Sequence, residues 1–223
     1  MTQTEKTLQE KYRDEVYSQT IPQEIFNSIT HGIGAALSIA ALTLLIVFSA
    51  FSGSALKIVS FTIYGTTLFI LFLSSTLLHS LRPFKAKSFF LKMDHISIYL
   101  LIAGTYTPLV LNTIGGAVGW TFFGIVWGIA VIGTVVKVFF TARADAISVI
   151  LYIAMGWIVI FFMKYVFLNL PQGGIIFLFT GGLLYTGGTA FYLWRKLPFS
   201  HAIWHLFVLA AAICHFFCIL LYV

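Results

Sequence analysis

Seven long apolar runs dominate this sequence and restrict the chain to a membrane fold. They cover residues 28–51, 56–79, 94–113, 119–140, 147–167, 173–194 and 200–222. A helix needs about 20 consecutive apolar residues to cross the hydrocarbon core of a bilayer, and each run reaches that length. Backbone groups in lipid must be hydrogen-bonded internally, and the runs lack the alternation of barrel strands. We therefore predict an all-α, polytopic membrane protein built as a seven-transmembrane helix bundle.

The composition excludes the soluble classes of protein. Charged residues make up 9% of the chain and hydrophobic residues 60%, whereas globular proteins carry roughly 25% charged residues. The two cysteines are too few for a disulfide scaffold. The basic residues flank the apolar runs and form no basic face, so we expect no nucleic acid partner. We expect a multi-pass protein of the cell (plasma) membrane whose partner is a membrane lipid.

The distribution of Lys and Arg predicts the orientation of the bundle. Eleven of the 13 lie in the N-terminal segment or in alternate connections, while Lys57 and Lys164 lie on the opposite side. Because positive residues are enriched on the cytoplasmic side, we place the N-terminus in the cytoplasm and the C-terminus outside. We divide the chain into a polar cytoplasmic tail, residues 1–20, and a seven-helix domain, residues 21–223.

Ionisable side chains within the apolar runs are the candidates for a functional site, because they are costly in a membrane. With the predicted topology, six of them fall at one depth near the cytoplasmic ends of the spans: Asp94, His31, His79, His95, His201 and His205. The sixth histidine, His215, lies about 15 Å deeper than His205 by helical rise. We interpret His215 as a residue that forms a hydrogen bond to a neighbouring helix.

The spacing of three histidines predicts a metal site. His201 and His205 lie on one helix face, where two imidazoles can share a metal ion. A third imidazole from His79 would give three ligands and an open fourth position, the arrangement of catalytic zinc. Ala202 stands where the related HExxH helix has its glutamate base, so any base must come from another helix.

Two further residues complete the predicted site. Asp94 would hold and deprotonate a metal-bound water. Ser75 lies one turn from His79 on the same helix face and would bind that water or a substrate carbonyl. The sequence also allows other roles for these side chains. Asp94 is alternatively the N-cap of the third helix, and His31 or His95 is alternatively a residue that contacts lipid headgroups or packs against other helices.

Glycine spacing predicts close helix packing. Gly174, Gly181 and Gly188 recur every seven residues in the sixth run, and Gly124 and Gly128 form a GxxxG step in the fourth. Small residues on one face let helices approach closely within a bundle, and the alternative is dimerisation into a homo-oligomer. In the third run, Pro108 follows Thr105-Tyr106-Thr107 and predicts a kink.

Taken together, these residues resemble a known pattern. The matching stretches are EIFNSITHG at 24–32, STLLHS at 75–80, DHISIY at 94–99, TYTP at 105–108 and PFSHAIWH at 198–205. On these stretches the chain resembles the hemolysin III family, bacterial members of the progestin and adipoQ receptor (PAQR) family. The resemblance implies zinc near the cytoplasmic leaflet, bound by His79, His201 and His205, with Asp94 on the metal-bound water and Ser75 beside it. The stretches also supply possible supporting residues: Glu24, Asn27, His31, His95 and Tyr106.

Three functions follow as hypotheses from the site and the resemblance. The first is a zinc-dependent hydrolase of a lipid amide or ester with a role in membrane lipid homeostasis, since some eukaryotic relatives are similar to ceramidases. The second is a non-enzymatic sensor or regulator of the membrane state, in which zinc is structural. The third is a cytolytic hemolysin, which we disfavour because such a toxin needs a soluble form and an export signal, and we expect no cleavable signal here.

Overall fold

The apolar runs fold into seven membrane-length helices. The structure, a computed structural model, describes residues 10, 12–14, 16–139, 145–194 and 196–223. We label the seven helices of the described residues α1 to α7. Their bounds are Ile21–Phe51, Ala55–Ser80, Phe84–Ile114, Gly116–Phe139, Ser148–Asn169, Gln172–Leu193 and Ser200–Tyr222. The predicted seven-helix membrane fold is confirmed.

Two helices begin earlier than their apolar runs. α1 begins at Ile21, behind Thr20, whose backbone N–H and hydroxyl both donate to Gln23 Oε1. α3 begins at Phe84, directly after Pro83, so that Asp94 lies well inside the helix. The alternative interpretation of Asp94 as a helix N-cap is therefore wrong. The first turns of α1 and α3 carry charged residues and therefore lie outside the apolar runs.

The described part of the N-terminal segment packs on the bundle. Val16 is buried in a small apolar cluster with Leu78 of α2 and Leu91 of α3. The hydroxyls of Tyr12 and Ser88 lie 2.6 Å apart. Side chains of the predicted polar tail thus cover the last turns of α2 and the first turns of α3. Residues 1–9, 11 and 15 of that tail lie outside the described residues.

Two apolar clusters hold the bundle together. One joins α1, α2, α3 and α7 around fully buried side chains such as Leu45, Phe61 and Tyr64. The other joins α3, α4, α5, α6 and α7 around side chains such as Phe162 and Val166. α7 belongs to both clusters, and this places its first turns beside α1 and α2.

The glycines of α6 and α4 behave differently. A Cβ on Gly174, Gly181 or Gly188 would overlap side chains of α7, so close packing within the bundle is confirmed for this stripe. A Cβ on Gly124 or Gly128 would meet nothing within 4 Å among the described residues. The expectation of packing within the bundle is therefore wrong for α4, and a homo-oligomer through this face stays a prediction.

α3 and α5 lose regular α-helical geometry at neighbouring positions. After Pro108, α3 widens into a π-helix over Leu109–Ile114. α5 is a 3₁₀-helix over Trp157–Phe162, between the α-helical Asp145–Gly156 and Met163–Asn169. The Tyr106 hydroxyl joins the two helices: it donates to the carbonyl oxygen of Gly156 at 2.5 Å and accepts from the Val159 N–H at 3.0 Å.

Candidate metal centre

Three histidines converge at the end of the bundle where α1 begins. His79 lies in the last turn of α2, and His201 and His205 lie in the first turns of α7. One ring nitrogen from each lies within 4.8 Å of the other two. Ring centroids are 4.6 Å apart for His201 and His205, and 5.2 and 5.1 Å from His79 to each of them. The structure therefore brings together the three residues whose spacing predicted a metal site.

Glu24 of α1 fixes the orientation of His79. Its Oε2 lies 2.6 Å from His79 Nδ1. A carboxylate only accepts hydrogen bonds, so the proton of this imidazole is on Nδ1 and the lone pair is on Nε2. His79 Nε2 is buried and has no hydrogen-bond partner among the described residues. This pairing of a ligand histidine with a carboxylate is the usual outer-shell arrangement in metal sites, and it holds the lone pair towards the ion.

Lys87 of α3 neutralises Glu24 from the other side. Its Nζ donates to Glu24 Oε1 at 2.7 Å and to the carbonyl oxygen of Leu78 at 2.9 Å. The Lys87 side chain is 5% exposed and that of Glu24 is 17% exposed. Burying charges is costly unless they are paired and hydrogen-bonded, and Lys87, Glu24 and His79 form one connected chain. Sequence reasoning counted Lys87 as a connection residue and missed this contact, because its partner lies on another helix.

His205 is oriented by the backbone of α1. Its Nδ1 lies 3.3 Å from the carbonyl oxygen of Asn27 and 3.4 Å from Thr30 Oγ1. The Thr30 hydroxyl already donates to the carbonyl oxygens of Phe26 and Asn27. His205 Nδ1 is therefore the donor to both oxygens, which leaves its Nε2 as the ligand atom.

His31 packs directly on a ligand imidazole. Its ring stacks on that of His205 at 3.5 Å between centroids and meets Phe72 edge-on at 5.1 Å. Both ring nitrogens of His31 and the side-chain amide of Asn27 are buried without hydrogen-bond partners among the described residues. The packing interpretation of His31 matches these contacts, and its position against His205 makes it part of the wall behind the site.

Asp94 and Ser75 lie beside the three histidines, as their predicted roles require. The Asp94 carboxylate lies close to Ser75, His79 and His95. The Ser75 hydroxyl is buried, and the Asp94 carboxylate is its close polar neighbour. His95 turns its Nδ1 to the Leu91 carbonyl oxygen at 2.7 Å, as a packing residue does. A hydroxyl and a carboxylate therefore face the histidines from α2 and α3.

An elongated cavity leads from the site into the bundle. Ser75, Asp94, His201 and His205 line its polar end. Its walls are mostly apolar and come from α2, α3, α5, α6 and α7. Tyr106 also lines the cavity, remote from the histidines, and its hydroxyl donates to the Gly156 carbonyl oxygen of α5. His215 lines the far end, where its Nε2 lies 3.1 Å from the Leu178 carbonyl oxygen, which confirms the predicted helix–helix hydrogen bond.

The donor set fits a transition-metal ion. Imidazole nitrogens suit zinc and its first-row neighbours, and three of them leave room for a fourth ligand. The buried, unpartnered Nε2 of His79 would be costly if it faced no ion or water. The hydrogen bond from His79 to Glu24 also orients this nitrogen as a metal ligand. The three histidines can therefore hold a metal ion.

The comparisons with known proteins agree with the placement of these residues. The family model for haemolysin-III-related proteins matches residues 19–216. The chain belongs to the hemolysin III family. This match covers α1 to α6 in full, α7 as far as Phe216 and every residue of the site, and it identifies a multi-pass protein of the cell membrane.

Individual hemolysin III relatives extend the comparison. The chain is 50% identical to "Hemolysin-3" of Bacillus cereus, over 92% of this chain and 94% of the relative. It is 51% identical to "Hemolysin-3 homolog" of Bacillus subtilis, over 91% and 95%. The human "Monocyte to macrophage differentiation factor" is 30% identical, over 70% and 67%, and links the family to the PAQR proteins. No solved structure gives a significant match to this chain.

Proposed function

We propose that this hemolysin III protein is a zinc-dependent hydrolase of a lipid amide or ester, with its site near the cytoplasmic leaflet. One observation carries the proposal: three metal-competent histidines, a carboxylate and a buried hydroxyl stand at the head of a cavity with mostly apolar walls. Such a cavity suits a long apolar chain, and its polar end suits a carbonyl group. A role in membrane lipid homeostasis follows from a substrate of this class.

Each side chain has a defined task in the proposed reaction. Zinc at the three histidines would act as a Lewis acid towards a carbonyl oxygen. Asp94 would accept the proton of the attacking water, because it is the carboxylate that lines the cavity beside the histidines. The Ser75 hydroxyl would donate a hydrogen bond to the substrate carbonyl. Glu24 would hold His79 in the ligating tautomer.

The first experiment is to measure the metal content of the purified protein. We expect about one zinc per chain in the wild type and a loss of zinc in the double variant His201→Ala/His205→Ala. Turnover is then measured on lipid amides and esters in detergent or vesicles. Asp94→Asn should retain zinc and lose turnover, because it removes the base without removing a ligand. Wild-type turnover by Asp94→Asn would overturn the role of Asp94, and absence of zinc would overturn the site.

A structural role for zinc is the second candidate function. The three ligands come from α2 and α7, and His205 also contacts α1 through its hydrogen bond to Asn27. An ion there would join the first and last parts of the bundle, as expected for a regulator that senses the membrane state. On this alternative, His205→Ala loosens the fold and no lipid product forms at any zinc level. Metal-dependent release of a fatty acid by the purified protein would exclude it.

Direct cytolysis is the third and least favoured candidate. Two relatives carry the name hemolysin. The described helices, however, expose large apolar side chains such as Phe51, Phe139 and Phe161, as expected for a resident membrane protein. Lysis of red cells by the purified protein at low detergent, with a defined pore size, would support this candidate against the other two.

A further inference from the structure

A second group of polar side chains lies at the far end of the cavity, remote from the histidines. We call Tyr64 of α2, Tyr185 of α6 and His215 of α7 the deep polar cluster. The rings of Tyr185 and His215 are 5.5 Å apart, and both residues line the cavity. Tyr64 is fully buried and packs in the same cluster of side chains as Tyr185, but it lies behind the cavity wall and does not line the cavity. Two helices, α6 and α7, therefore place polar groups in the wall at this end, and a third, α2, places one behind it.

The deep polar cluster has hydrogen-bonding capacity that the protein does not use. The Tyr64 hydroxyl is buried and has no partner among the described residues. His215 Nε2 faces the Leu178 carbonyl oxygen, so it carries the ring proton, and Nδ1 is left as an acceptor. Buried polar groups in native proteins are almost always paired, and the cost of leaving them unpaired is high inside a membrane. This end of the cavity is therefore built to receive a polar group.

The cavity between its two polar ends is apolar. Leu71, Leu101 and Val208 belong to this intermediate wall. His215 lies about 15 Å beyond His205 along α7, from the helical rise. A complementary ligand has a polar head at the histidines, an apolar chain beside these side chains, and one more polar group at the depth of His215.

We propose that the deep polar cluster is a subsite for a hydroxyl group on the acyl chain of a bound lipid. This proposal rests on the proposed function, because it assumes that the cavity holds the acyl chain of the substrate or product. A hydroxyl is both donor and acceptor, and it matches the free acceptor on His215 and the hydroxyl of Tyr185, the two members of the cluster that line the cavity. The depth of the cluster selects a hydroxyl near the middle of the chain over one beside the carboxyl group.

Fatty acid binding tests the subsite without any need for turnover. The purified full-length protein in detergent is titrated with stearic acid and with isomers carrying one hydroxyl near the carboxyl group, near the middle, or near the methyl end. A fluorescent fatty acid serves as the displaced probe. We expect the mid-chain isomer to bind about fivefold more tightly than stearic acid, the value of roughly one net hydrogen bond. The other two isomers should bind no better than stearic acid.

Three variants assign this preference to the cluster. Tyr185→Phe and His215→Phe each remove one polar group that lines the cavity and should abolish the mid-chain preference while stearic acid still binds. Tyr165→Phe is the control, because Tyr165 lies on α5, is 37% exposed and is absent from the cavity wall. It should keep the preference. Unchanged affinity for stearic acid shows that each variant remains folded. Because two independent Phe variants are measured, the test remains possible if one of them does not fold.

Several outcomes would overturn the subsite. Equal affinity for all isomers in the wild type would mean that the cluster binds water only. If the mid-chain preference survives both Phe variants, the hydroxyl is recognised elsewhere in the protein. If none of the fatty acids binds, the cavity does not hold an acyl chain. The failure of this proposal can be distinguished from the failure of the proposed function. A mid-chain preference without lipid turnover would support the subsite and contradict the hydrolase. Lipid turnover without the preference would contradict the subsite alone.

Discussion

Glu24 Oε2 and His79 Nδ1 lie 2.6 Å apart, although the two residues are 55 positions apart in the chain. The contact joins the first turn of α1 to the last turn of α2. Because the carboxylate accepts the Nδ1 proton, it sets which nitrogen of His79 faces the candidate metal. The affinity of the candidate site for a metal ion should therefore depend on a residue that is not one of the three candidate ligands.

Replacing Glu24 tests this dependence. We expect Glu24→Gln to weaken zinc binding by about 10- to 100-fold, the usual effect of losing a partner that orients a ligand histidine. Zinc affinity is measured by competition with a chelator of known affinity. Glu10→Gln is the matched control, because Glu10 is exposed in the N-terminal segment. An unchanged zinc affinity in Glu24→Gln would show that Glu24 does not orient His79.

Lys87 should contribute to stability more than a surface lysine. Lys87→Met leaves the Glu24 carboxylate without its cation, and we expect the free energy of unfolding to fall by roughly 1–3 kcal/mol. The partial exposure of Glu24 keeps the cost below that of a fully buried pair. Lys85→Met on the same helix is the control, because Lys85 is exposed. Equal thermal unfolding midpoints for the two variants in one detergent would contradict the prediction.

Gly181 is predicted to be intolerant of even a methyl group. A Cβ there would overlap the His215 ring, so Gly181→Ala must push α6 and α7 apart or displace His215. We expect a loss of about 1–3 kcal/mol in unfolding free energy, as for other overpacked sites. Gly182→Ala is the neighbouring control, since the nearest atom to its Cβ is on Trp157 at 3.9 Å. The prediction fails if the two alanine variants unfold at the same temperature.

Tyr106 is expected to stabilise the irregular part of α5. Tyr106→Phe removes the acceptor of the buried Val159 N–H and the donor to the Gly156 carbonyl, at a cost of about 1–3 kcal/mol. Amide hydrogen exchange should then increase over residues 157–162, where the 3₁₀-helix lies. Tyr165→Phe on the same helix should leave exchange there unchanged. Wild-type protection in Tyr106→Phe would show that the 3₁₀-helix holds without this tyrosine.

The sequence was sufficient for the seven helices but not for the beginning of α3. Long apolar runs predict membrane helices well, because lipid leaves the backbone no alternative. The first turns of α1 and α3 contain Glu24 and Lys87, and charged residues end an apolar run when each is read alone. They are stable in the helices because they pair with each other across the bundle. A pattern within one run does not contain that information.

The candidate site was predictable where its residues are related by helical spacing. His201 and His205 share one helix face, and the topology placed His79 and Asp94 at their depth, with Ser75 one turn away from His79. The partners that orient the ligands were not predictable in this way. Asn27 holds His205 with its backbone carbonyl, and a backbone atom has no residue-specific signal. The role of Lys87 likewise appears only when α1 and α3 are placed side by side.

The origin of the ligands has a consequence for how the protein is made. His79 lies on α2, while His201 and His205 lie on α7, which is synthesised after the other six helices. Five of the seven spans precede or separate these residues without supplying one of the three histidines. A chain arrested before α7 therefore has only one of the three imidazoles of the candidate site. Capture of an ion by this site would thus be a late event of biogenesis that requires the insertion of α7.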